Sequence, residues 1–105
     1  MTPDIKKYVR AMRTAYDRYH NHVNALGWVL DTAAEKDNVE TAFREWKDRK
    51  EDLRIEFAEV YFLFAEASGA RNSKSTVLSC VSPEDSFIKT AIEDAEQKYL
   101  KRSAL

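Results

Sequence analysis

An all-α fold is the expectation here, and three observations predict it: two long runs with apolar residues at alternating steps of four and three, a scarcity of turn residues, and helix-start signals where those runs begin. The first run reads Ile5, Val9, Met12, Tyr16, Tyr19, Val23, Leu26, Leu30 and Ala33 without a miss. The second reads Val39, Phe43, Trp46, Lys50, Leu53, Phe57, Val60, Phe64 and Ala67, broken once at Lys50. A strand would alternate by twos, so these repeats describe helices whose apolar seams face a partner helix. Two glycines and two prolines in 105 residues leave little material for the turns of a many-stranded sheet. The expected architecture is one helical domain over 1–105. A long antiparallel hairpin (about 3–36 and 39–68) combines with a shorter third helix (about 83–102) in a three-helix bundle.

The first helix has a start signal in Thr2-Pro3-Asp4: a capping hydroxyl, a proline suited to the first helical position, and an acid at the positive helix end. Gly27 lies inside the run and costs about 1 kcal/mol relative to alanine. Because the seam continues past it, the helix is expected to continue too, with a close helix contact or a kink as the reason for the glycine. The run ends at Glu35-Lys36-Asp37-Asn38, where Asp37 or Asn38 can cap the next helix. A connection this short makes the two arms antiparallel.

The second helix carries Ile55, Tyr61, Phe62 and Leu63 off its seam, so more than one of its sides needs cover. Gly69 is its natural stop. Residues 70–82 are expected to form a connecting loop, either an extended strap or one short helical turn. Ser82-Pro83-Glu84-Asp85 repeats the start signal, and Ile88, Ala91, Ile92, Ala95 and Tyr99 then share one helical face.

The lengths do not match. Two arms of roughly 45 Å cannot be fully covered by a third of roughly 30 Å. The off-seam residues Tyr8, Ala11 and Ala15 of the first arm and Tyr61 to Leu63 of the second become neighbours in an antiparallel hairpin, so the third helix should dock there. The opposite end, around Ala25–Leu30 and Ala42–Lys47, is left as a two-helix prong. Trp28 falls opposite the seam there, with Ala25 and Val29 nearby. It is either a contact for another chain or covered by the third helix or the strap.

Charge adds a second candidate surface. The net charge is −1, yet residues 1–20 carry five basic and two acidic side chains, and 37–68 carry five and nine. Lys6, Arg10 and Arg13 form a basic stripe that can meet an acidic protein or phosphates. Cys80 is the only cysteine, which excludes an intrachain disulfide and fits a reducing, cytoplasmic setting. No run approaches the ~18 apolar residues of a membrane span.

Catalytic and metal-binding patterns are weak. His20 and His22 point about 200° apart on a helix and cannot share one metal ion. Glu51, Asp52, Glu56 and Glu59 are interleaved with Arg49, Lys50 and Arg54, which reads as a solvated face of ion pairs. Residues 69–76 lack the second glycine and the preceding strand of a phosphate-binding loop. No cofactor is expected. The functional expectation is a non-catalytic helical protein–protein interaction module: an adaptor, an assembly subunit or a small inhibitor of a larger complex. Its partner-binding residues are Ala25, Trp28, Val29, Lys6, Arg10 and Arg13. A homodimeric bundle of paired prongs, and a regulator touching nucleic acid through the first helix, are the alternatives.

Overall fold

The computed structural model describes residues 4–100. Every regular element within them is helical: α1 (Ile5–Asn24), α2 (Leu26–Glu35), α3 (Val39–Ala67), α4 (Lys74–Cys80) and α5 (Ser86–Tyr99). α1 begins because the Asp4 carboxylate accepts the Lys7 backbone N–H at 3.1 Å, which satisfies one of the unpaired donors of the first turn. The expected contributions of Thr2 and Pro3 lie outside the described residues.

The first arm is interrupted, which corrects the expectation of one helix over 3–36. Its break falls at Ala25 rather than Gly27, and Trp46 is the physical reason. The Trp46 indole N–H donates to the His22 carbonyl at 2.9 Å. The Ala25 N–H meanwhile turns back to the Asn21 and His22 carbonyls at 3.1 and 3.2 Å. A side-chain donor entering the hydrogen-bond ladder tightens and kinks it at that point. Gly27 itself is exposed, and a Cβ built on it would meet nothing within 4 Å, so no close helix contact explains it.

Both hairpin arms end in the same closure. At the end of α2, Asp37 adopts φ 55, its N–H bonds to Ala34 at 3.3 Å, and the Asn38 N–H bonds to Ala33 at 3.1 Å. At the end of α3, Gly69 adopts φ 99, with Gly69 to Glu66 at 3.1 Å and Ala70 to Ala65 at 2.9 Å. These paired bonds satisfy the last helical carbonyls. Asp37 therefore stops α2 instead of capping α3. Asn38 holds the cap position of α3 without a side-chain bond.

The expected loop 70–82 contains α4, which packs on α3. Arg54 fixes it there: its guanidinium donates to the Leu78 and Val81 carbonyls at 2.8 and 2.9 Å. Arg54 shares its face of α3 with Ala58 and Ala65, which are 0% and 8% exposed. Small side chains on that strip let a neighbouring backbone come close. α4 thus covers the Arg54 and Ala58 side of α3, while of the surplus residues Ile55, Tyr61 and Phe62 are half-buried and Leu63 stays 40% exposed, so the expected cover of that whole set by the third long helix is not seen. α5 begins at Ser86, three residues later than expected: Asp85 is the cap residue and its carboxylate accepts the Ser82 N–H at 3.1 Å. The expected end at Arg102 lies outside the described residues.

α5 lies against α1. It runs antiparallel to α1: Pro83 meets His20 at one end and Glu96 meets Arg13 further along. Val9, Met12 and Ala15 of α1, Phe57 of α3, and Ile88, Ile92 and Ala95 of α5 form one buried cluster. This is the three-helix bundle in its expected place, with Ala15 covered as the length mismatch requires. Beyond it, α2 and the first turns of α3 continue as a two-helix prong.

Candidate interaction surface

Two places on the molecule bring functional groups together. The first is the prong. Trp28 is 71% exposed, so neither α4 nor α5 reaches it. It lines a hollow of about 190 Å³ with Val29, Thr32, Ala33, Lys36, Asn38 and Ala42. Val29 and Ala42 also line an adjoining hollow of about 230 Å³ with His22, Glu45 and Trp46. The two hollows make one furrow along the join of α2 and α3. Its floor is low because Ala33 and Ala42 are small. Val39 and Phe43, expected within the seam, are also exposed at the prong. Helix α2 has 10 residues against the 29 of α3, and the first turns of α3 are only partly covered by it.

The base of the prong is fixed by a reciprocal pair. The Trp46 indole donates to the His22 carbonyl, and the His22 Nε2–H donates to the Trp46 carbonyl at 2.9 Å. The two rings stack at 5.4 Å, and Phe43 stacks on Trp46 at 6.0 Å. The other histidine serves elsewhere, with its Nε2–H donating to the Pro83 carbonyl at 3.0 Å.

The expected partner-binding residues separate into three places. Trp28, Val29 and Ala25 lie on or beside the prong, Ala25 at the helix break and half-buried. Lys6 and Arg10 are exposed on α1, at least about 20 Å away along the rod. Arg13 leaves the basic stripe, because its guanidinium grips Glu96 through two bonds of 3.0 and 2.8 Å. That bidentate pair holds the Arg13 pKa above its ordinary value and ties α5 to α1. No single site contains all six.

The second place has no counterpart in the sequence pattern. Tyr19, Lys47, Lys50, Glu51, Arg54, Ser82 and Glu84 line a cleft of about 300 Å³ where the turn between α4 and α5 crosses α1 and α3. The Tyr19 hydroxyl donates to Glu84 at 2.6 Å, and Lys50 approaches the same carboxylate at 3.5 Å. Burial, and then the bond to Glu84, push the Tyr19 hydroxyl above its usual pKa. Bonding from Tyr19 and the nearby Lys50 hold Glu84 below the usual carboxylate range. Glu51 is lowered likewise by its two bonds to Arg54. Within this cleft each carboxylate faces a donor, so the network serves as a polar strap joining the turn to the hairpin. In sequence, Tyr19 reads only as a seam residue and Glu84 only as a helix-start acid. The pairing is 65 residues apart and leaves no local trace.

Other groups take structural roles. Arg18 pairs with Glu56 at 2.7 Å between α1 and α3, while Asp52 and Glu59 face solvent. Gly69 is a helix stop and Ser73 precedes a helix of seven residues, so residues 69–76 form no phosphate loop. Among the described residues, no cluster of three or more histidine, cysteine or acidic side chains is arranged to hold a metal ion. No helix among them is long and apolar enough to cross a membrane. Comparison of the chain with protein-family models, curated proteins and solved structures gives no match in any of the three.

Proposed function

We propose that this protein is a helical interaction module that works by binding another protein through its prong, rather than by catalysing a reaction. One observation carries this reading: Trp28, the largest side-chain type, stands 71% exposed beside an apolar furrow on a rigidly based pair of helices. A large exposed aromatic beside apolar neighbours marks a contact surface more often than free surface. An adaptor, an assembly subunit or a small inhibitor of a larger complex would each use such an end. A cytoplasmic setting suits a chain whose single cysteine is unpaired. Pairing of two prongs into a four-helix bundle is the second reading, favoured by the prong being an incomplete bundle.

The test is affinity capture from a cell extract with the intact protein and with Trp28→Ala, each first checked by circular dichroism. The variant is expected to fold normally and to lose captured proteins that the intact chain retains. Identical capture by both would overturn the prong as the binding end.

A further inference from the structure

We infer that the prong pairs with the prong of a second copy of this chain, the two running antiparallel about a twofold axis that crosses the furrow. The inference rests on the prong being the binding end and names the partner.

Charge selects that partner. The furrow is lined by one cation, Lys36, and one carboxylate, Glu45, which stand at its opposite ends. Both are exposed, and among the described residues neither takes part in an ion pair. Arg44, Asp48 and Arg49 flank the furrow on α3, so its surroundings commit to neither sign. A strongly basic or strongly acidic partner therefore gains little here. A surface with one charge of each sign at its two ends is complementary to itself after a half-turn. Antiparallel pairing sets Lys36 of each copy against Glu45 of the other, twice. Parallel pairing, with the axis along the rod, sets like charge against like and is disfavoured.

Shape agrees with charge. Lys36 lies eight residues beyond Trp28, and Glu45 seven beyond Asn38. Each wall of the furrow therefore runs roughly 11–12 Å down from the prong tip. Ala33 and Ala42 lie near the middle of these spans, where the axis crosses, and their small side chains let two hairpins approach closely. Trp28, 71% exposed at the inner end of the furrow, then reaches the outer end of the other copy's furrow, beside Lys36 and Asn38 there. The bundle ends stay clear of one another. None of the furrow residues belongs to the cluster that α5 completes, and overlap at the tips points the two bundles in opposite directions. Two helices side by side are roughly 20 Å across, so an overlap of roughly 12 Å is at the small end of interface sizes and predicts a weak dimer.

The experiment is sedimentation equilibrium on the full chain from about 1 µM to about 1 mM, with tryptophan emission followed over the same range. A reversible monomer–dimer equilibrium is expected, with emission moving to the blue as Trp28 is covered. Trp28→Ala should weaken the dimer by at least about tenfold. Lys36→Glu and Glu45→Lys should each weaken it by about fivefold to tenfold, because each creates two like-charged contacts. Mixed in equal amounts, those two variants should form a heterodimer of nearly the original strength, since every contact again joins unlike charges. All three positions are exposed, and circular dichroism checks that each variant keeps its helices. A chain that stays monomeric throughout, a dimer indifferent to Trp28→Ala, or a mixture no stronger than its two components would overturn the inference. If the chain is monomeric while capture from extract still depends on Trp28, the second copy falls and the prong stands as the binding end. If capture is also independent of Trp28, both fall together.

Discussion

At the bundle end, Val9, Met12 and Phe57 are at most 1% exposed because α5 lays Ile88 and Ile92 across them. At the prong, Val39 and Phe43 occupy the same kind of seam position and remain 41% and 40% exposed. The repeat that builds the two ends is the same. What differs is the third helix, and its presence converts an apolar seam from surface into core. Stability should therefore concentrate at the bundle end, leaving the prong free to change its contacts without endangering the fold.

The sharpest way to break this contrast is a truncation in the bundle. Phe57→Ala should cost about 3–5 kcal/mol in denaturant unfolding, since the site is fully enclosed and cannot collapse easily. A cost below about 1 kcal/mol would mean that the bundle is no tighter than the prong. Next in size is Trp46→Phe, which keeps a ring for stacking but removes the bond to the His22 carbonyl. About 1–2 kcal/mol should be lost. Amide exchange near Ala25 should change more than exchange around Met12.

Third come the effects of pH. Glu84 is held below the usual carboxylate range, so its contribution is complete above the unfolded value near about 4.3 and is lost as pH falls through the folded one. Tyr19 is raised, so its contribution is complete below about 10 and is lost as pH climbs above it. Melting temperature should be level between about pH 5 and 9 and fall on both sides. Glu84→Gln should flatten the acid limb and Tyr19→Phe the alkaline one. Acid and alkaline limbs untouched by these variants would detach the cleft from bundle stability. The smallest effects belong to the helix stops. Gly69→Ala should destabilise by about 1 kcal/mol because φ 99 suits only glycine well, and Asp37→Gly should stabilise by up to about 1 kcal/mol. Equal signs for the two would show that the closures are not equivalent.

Much of the architecture was legible because it is written in local periodicity. The hairpin, its turn at 35–38, the docking of a third helix beside Ala15 and the outward Trp28 all follow from spacing and length. What was not legible depends on partners distant in sequence. The interruption at Ala25 comes from an indole 21 residues downstream of it, and no propensity at Ala25 or Gly27 announces it. Helix α4 is short and rich in Ser and Thr, and it is held by Arg54 of α3. The basic stripe of Lys6, Arg10 and Arg13 is continuous in spacing, and only Glu96, 83 residues from Arg13, takes Arg13 out of it. Alanine carries a further signal in the sequence: Ala33 with Ala42, and Ala58 with Ala65, mark where backbones approach or a furrow sinks.

The reciprocal bonds between His22 and Trp46 have a consequence for how the arms find one another. A seven-residue repeat alone tolerates slippage, since sliding one arm by two turns returns apolar residues to apolar positions. Here such a slide would break both hydrogen bonds and a ring stack in one step, with no other tryptophan in α3 to replace them. The pair thus acts as a key that admits a single alignment of the rod, and so fixes how far the prong projects.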